Sequence, residues 1–137
     1  MGVTFVGVSE FEDGLEALKL RMLAATEQAV ADGAHLIQAA AMKHAAGRPG
    51  PNAVSGTLRR SIHVEGPTGE EGTYTARIGP SAIYARRIEL GFMNMRDSLG
   101  RLYHQPPYPY MAPGLADADL EMNALFEERW GQALEEV

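Results

Sequence analysis

From Phe11 to Ala41 the apolar residues Phe11, Leu15, Leu18, Met22, Ala25, Ala29, Val30, Ala34, Ile37 and Ala41 recur at helical spacing. That period places them along one face of an α-helix. Ser9 and Glu12 have capping-box spacing, which sets the helix start near residue 10. The string "GRPGP" at 47–51 is a hard stop, so the helix is expected to reach Ala46. At a rise of about 1.5 Å per residue it would be about 55 Å long. A compact domain of 137 residues is narrower than that. The helix must therefore either project from the domain or bend near Gly33.

The remaining segments are short. "VTFVGV" at 3–8 is β-branched and reads as a strand. After a loop at 47–56, "LRRSIHVE" alternates Ile62 and Val64 against Ser61, His63 and Glu65, as a half-buried strand requires. "GPTGEEG" at 66–72 is a turn-rich connection. "TYTARIG" then alternates Tyr74, Ala76 and Ile78 against Thr73, Thr75 and Arg77, completing an antiparallel hairpin. A short helix is expected at 82–90, with Tyr84 and Ile88 one turn apart, and a weaker hairpin at 93–104 around Gly100. "QPPYPYMAPG" cannot be regular structure, because proline removes a donor and fixes φ. From about Pro113 a second helix carries Leu115, Met122, Leu125, Phe126, Trp130 and Leu134 as its apolar stripe. The expected fold is a single α+β domain over 1–137, with the long helix and the C-terminal helix packed on a small antiparallel sheet. The segment 93–110 is expected to form a mobile arm that, like the long helix, orders on docking.

Composition narrows the functional classes. The 45% hydrophobic and 22% charged content is that of an ordinary soluble domain. No apolar run approaches a membrane span, and "MGVTFVGVSEF" has neither the basic nor the long apolar region of a signal peptide. There is no cysteine, which rules out disulfides and thiolate metal sites. A net charge of −6 disfavours general nucleic-acid binding. The charge is uneven: residues 48–104 hold eight arginines against five acids, and residues 117–137 hold seven acids against one arginine. Opposite signs in two parts of the chain allow copies to meet head to tail; solvated faces are the plainer reading.

Catalytic and cofactor signatures are sparse. "GRPGP" has prolines where a phosphate loop needs N–H donors, and no Lys-Ser/Thr follows. His35, His44, His63 and His104 form no metal-ligand spacing. No serine lies in a nucleophile elbow. His63 beside Ser61 and Glu65 is the nearest approach to a catalytic constellation, although alternating polar residues gather on any half-exposed strand. "PPYP" at 106–109 has the spacing that aromatic grooves bind, or serves as a rigid connector into the last helix. No cofactor is expected.

Three segments together carry a resemblance. "PNAVSGTLRRSI" at 51–62, "IGPSAIYARRIELGF" at 78–92 and "PPYPYMAPGL" at 106–115 resemble, in order and spacing, the small neck and tail-completion proteins of long-tailed phages. The resemblance covers about residues 9–134. Phe92 stands where that family has Thr, Tyr110 where it has Phe, and Gly114 where it has Ala. The resemblance implies a structural virion protein rather than an enzyme. It would join the head connector to the tail or complete the tail end, as a six- or twelve-fold ring through which DNA passes. Its partners would be copies of itself and the connector, adaptor and tail proteins, with no membrane and no sequence-specific DNA contact. It would be found in the virion, and in the host cytoplasm during assembly.

Within that reading Arg59, Arg60, Arg86, Arg87, Glu89, Phe92, Tyr108 and Tyr110 are the candidate subunit or partner contacts. Tyr and Arg are favoured interface anchors. Tyr84 and Ile88 are expected to turn inward, leaving Arg86, Arg87 and Glu89 for a neighbour, with Arg86 and Glu89 able to pair. The rival readings are a tail terminator, a small hydrolase or nuclease using His63 and Glu65, and a module that binds a peptide or host protein.

Overall fold

In the computed structural model, which describes residues 2–3, 6–52 and 56–135, the long helix α1 (Val8–His44) is one uninterrupted element. It is followed by α2 (Thr57–Ser61), β1 (Ile62–Glu70), β2 (Thr73–Pro80), α3 (Ala85–Leu90), β3 (Phe92–Arg96), β4 (Leu102–Gln105) and α4 (Met111–Glu135). The α+β class holds. α1 begins earlier than the Ser9–Glu12 pattern suggests. Gly7, at φ 86°, occupies the N-cap, and among the described residues no side chain caps the start. Of the strand expected at 3–8, Thr4 and Phe5 lie outside the described residues, while Val8 already belongs to α1.

α4 lies antiparallel along the second half of α1. Early α4 residues meet late α1 residues: Gly114 sits on Ala41, Met122 on Gly33 and Trp130 on Thr26. The seam is built from small residues, with Ala29, Gly33, Ala34 and Ala41 buried on α1 and Gly114, Ala118 and Ala133 buried on α4. Small side chains let two backbones approach closely. A Cβ added to Gly114 would lie 2.7 Å from the Ala41 Cα. Polar contacts fix the register on the flanks. The Arg129 Nε donates to the Asp32 carboxylate at 2.7 Å, and the Trp130 indole N–H donates to the Thr26 hydroxyl at 3.0 Å. The Trp130 ring meets Phe126 edge-on, with centroids 5.4 Å apart.

α4 reaches back along α1 only to about Arg21–Ala25, which line a cleft with Gln132 and Ala133. The preceding turns of α1 stand clear, with Phe11 66% and Leu15 50% exposed. Of the two alternatives posed by its length, the helix projects. Gly33 is a contact point for Met122 rather than a break in the helix.

The strands form two separate antiparallel ribbons rather than one sheet. β1 and β2 pair from Ile62↔Pro80 to Glu70↔Thr73, with a bulge between Glu65 and Thr68. β1 is thus longer than expected and takes in most of the turn-rich "GPTGEEG". The bulge at Gly66, φ 96°, absorbs the Gly-Pro pair. The chain reverses at Glu71 and Gly72, whose φ values of 57° and 89° suit a two-residue hairpin turn. The first four residues of "LRRSIHVE", expected as strand, are helical instead, as part of α2. Leu58 is buried there, and the Ser61 hydroxyl donates back to the Leu58 carbonyl at 2.7 Å. β3 and β4 make the second hairpin, from Phe92↔Gln105 to Arg96↔Leu102.

The largest buried side chains are Tyr110 and Ile62. With Ala41, Ala45, Leu58 and Ala85 they form one cluster where the end of α1, α2, the start of β1, α3 and the start of α4 converge. Met42, Ile78, Ile88 and Met111 close over it. This knot holds the two short helices that carry most of the candidate arginines.

Candidate functional site

The Ser61 N-terminal side of β1 and the end of β2 adjoin, since Ile62 pairs with Pro80 and the Ser81 N–H donates to the Ser61 carbonyl at 3.1 Å. α2 and α3 therefore leave the same end of the ribbon. Arg59 and Arg60 on α2, and Arg86 and Arg87 on α3, are all exposed. Among the described residues Arg59, Arg86 and Arg87 make no ion pair. The expected Arg86–Glu89 pair does not form, because Glu89 is engaged elsewhere.

Glu89 turns toward the start of α4. One carboxylate oxygen accepts the N–H groups of Tyr110 and Met111 at 2.8 and 3.0 Å, and the other accepts that of Ala112 at 3.1 Å. The first N–H groups of a helix have no partner within it and carry its positive dipole end. α4 has no acidic residue in its own first turn. "QPPYPY" likewise supplies no Ser, Thr, Asp or Asn to cap it. A carboxylate from α3 does the work instead and ties the two helices together. Glu89 was expected at a neighbour's surface; its place inside the fold corrects that.

Tyr110 is corrected in the same way. It is 1% exposed, at the centre of the core, and its hydroxyl donates to the Ala85 carbonyl at 3.3 Å. Burial, followed by the nearby charges of Glu89 and Tyr84, pushes its pKa up to about 12. Tyr84 is 40% exposed rather than turned fully inward, and Ile88 is half-buried. Tyr108 is half-buried, its ring beneath the Arg48 guanidinium at 3.8 Å from the centroid, and its N–H donates to the Ile88 carbonyl at 2.8 Å. The proline-rich segment is thus anchored as a connector on both sides of Tyr108. Phe92 opens β3 and is half-buried.

His63 and Glu65 do meet, with the ring Nε2 3.1 Å from the carboxylate. The Ser61 hydroxyl takes no part, since it serves the Leu58 carbonyl, and His63 Nδ1 faces the Ser61 carbonyl at 3.0 Å. Both ring nitrogens face acceptors, an arrangement that suits the doubly protonated imidazolium. The Ser61 carbonyl, then Glu65, accordingly raise the His63 pKa above 6.5. The Ser61 hydroxyl, turned to the Leu58 carbonyl, leaves this pair without the serine–imidazole hydrogen bond that activates a nucleophile.

At the tip of the second hairpin, Asp97 organises the turn. One oxygen accepts the N–H groups of Leu99 and Arg101, each at 2.9 Å; the other accepts the Arg101 Nε at 2.6 Å and the Tyr103 hydroxyl at 3.1 Å. Desolvation pushes this carboxyl up, but the Arg101 and other donors outweigh it and hold it below its ordinary value. The "DSLG" string carries the turn signal, an Asp two residues before a bonded N–H. Below the hairpin, Leu90, Gly91, Phe92, Met93, His104 and Pro106 line part of an open groove of about 350 Å³.

No helix among the described residues is long and apolar enough to cross a membrane. Comparison with curated proteins and with solved structures gives no match. Residues 9–91, which take in most of α1, then α2, the β1–β2 ribbon and α3, match one family, described as "Bacteriophage HK97-gp10, putative tail-component". With well over half its length matched, and with the first of the three segments that suggested a phage neck or tail protein and all of the second but Phe92 inside the match, the chain belongs to this HK97-gp10-like family of phage tail components.

Proposed function

We propose that the chain is a structural protein of the phage neck. It joins the head connector to the tail or completes the tail end, as a closed ring through which DNA passes. The observation that carries this is the set of exposed arginines Arg59, Arg86 and Arg87. Among the described residues they have no ion-pair partner, and they sit on two short helices held by the Ile62–Tyr110 core. Arginine is a preferred anchor at protein interfaces, and rigid support lowers the entropy lost when it engages a partner. A closed ring needs two different, complementary surfaces on each copy, and the uneven charge of this chain supplies them. Copies of the chain and the adjoining connector and tail proteins are the partners, in the virion and, during assembly, in the host cytoplasm. The resemblance suggests six or twelve copies. No catalytic step is assigned.

The test is complementation. Particles made without this chain should accumulate as separate DNA-filled heads and finished tails, and purified chain should join them. Arg86→Glu with Arg87→Glu should fail to join them while folding normally. Infectious, joined particles formed in its absence would overturn the proposal.

A further inference from the structure

The projecting part of α1 is an amphipathic arm without a partner among the described residues. Val8, Phe11, Leu15, Leu18 and Met22 recur at steps of three and four residues, and the stripe continues into Ala25 and Ala29, the latter buried at the α4 seam. Over residues 8–20, where α4 no longer covers it, Phe11 is 66%, Leu15 50% and Val8 43% exposed. The same turns carry Glu10, Glu12, Asp13 and Glu16 against Lys19 alone. The arm is both apolar and acidic.

A second apolar surface in the chain has the opposite charge. α3 and the β3–β4 hairpin expose Leu90 at 61%, Met93 at 77% and Leu99 at 75%, and carry Arg86, Arg87 and Arg96, none of them ion-paired among the described residues. The open groove at the hairpin base, about 350 Å³ between Leu90–Met93 and His104–Pro107, has room for an aromatic side chain.

We infer that the α1 arm of one copy docks on the hairpin of the next, with Phe11 entering the groove beside Met93. The reading rests on the ring assembly proposed above and names the surfaces that make it. Charge complementarity selects this occupant. Two arms paired with each other would set four carboxylates against four, which like-charge repulsion disfavours. An acidic arm on a basic hairpin joins unlike signs. Because the two surfaces differ, the contact is heterologous and propagates from copy to copy until the rotation closes.

The chain has no cysteine, so introduced thiols report contacts without background. Phe11→Cys and Met93→Cys are combined in one chain, and each is also made alone. Purified proteins are oxidised at high concentration, beside native mass spectrometry of the unmodified chain. The double variant should give a covalent ladder ending at the ring size. Mixed single variants should give a cross-linked dimer several-fold above either variant alone. Glu12→Lys with Glu16→Lys should suppress the ladder. Dimers through Phe11→Cys alone would show arm-to-arm pairing and overturn the inference. Native oligomers with no Phe11–Met93 cross-link would overturn it while leaving ring assembly standing. A monomer at every concentration would overturn both.

Discussion

Replacing Glu89 by alanine separates two roles that the sequence alone does not distinguish. In the structure its carboxylate accepts three N–H groups, from Tyr110, Met111 and Ala112, at 2.8, 3.0 and 3.1 Å. A hydrogen bond to a charged group contributes about 1.5–3 kcal/mol when one partner is removed. Three bonds sharing one carboxylate do not add, and Ala112 is exposed enough for water to replace it. Loss of a cap costs about 0.5–2 kcal/mol, and loss of the favourable charge at the helix dipole about 0.3–1 kcal/mol. Together these place Glu89→Ala at about 2–3 kcal/mol of destabilisation. For a chain of this size that is a fall of about 10 °C in Tm. Glu89→Gln keeps one acceptor oxygen and loses the charge, so it should fall about midway. Urea unfolding followed by circular dichroism, with the m-value compared between variants, measures both. A change below about 0.5 kcal/mol for Glu89→Ala, accompanied by loss of assembly, would refute the capping role and return Glu89 to a subunit interface.

Other expectations follow from the same geometry. Tyr110 has its pKa raised, so the stability it contributes is complete below about pH 10 and lost as pH rises toward about 12. Wild type should lose about 1 kcal/mol per pH unit there relative to Tyr110→Phe, read from urea midpoints; parallel curves would contradict this. Gly114→Ala should destabilise by about 1–3 kcal/mol despite its better helix propensity, because the new methyl meets the Ala41 backbone. Gly33→Ala meets only the flexible Met122 thioether and should be neutral or stabilising by up to about 1 kcal/mol; equal costs at the two sites would show that the seam is not close-packed as described. Asp97→Asn should speed amide exchange at Leu99 and Arg101 without lowering Tm, since the turn it organises is local. His63 should titrate above 6.5 by NMR, and Glu65→Gln should bring it down.

The elements carried by strong periodicity were readable from the chain. The Phe11–Ala41 stripe places α1, and the alternation of Tyr74, Ala76 and Ile78 places β2. The short helix at α3 and the second hairpin also lie where their patterns put them, whereas α4 starts at Met111, inside the stretch "QPPYPYMAPG" expected to be irregular, because Pro113 falls in the first turn, where its missing N–H is not needed. The errors have local causes. "LRRS" reads as strand because it runs directly into the alternation of Ile62 and Val64, but burial of Leu58 and a left-handed Gly56 wind it into a turn of helix. Ser9 and Glu12 have the spacing of a capping box, yet Gly7 starts the helix first. Glu89 and Tyr110 show the limit for interface residues. Both belong to types that interfaces favour or tolerate, and both are consumed by long-range contacts between α3 and α4. Only the prolines before α4, and the absence of any cap among them, hint that an acceptor must come from elsewhere. The arginines are different. Their exposure on α2 and α3 agrees with the basic balance of the middle of the chain.

The central claim, a ring at the head–tail junction, is tested most directly by a cryo-EM map of the intact particle. The account predicts a closed ring of this chain coaxial with the DNA channel, its α1 helices each reaching the hairpin of an adjacent copy. A map with this chain absent from the junction, or present there as isolated copies that do not touch, would contradict it.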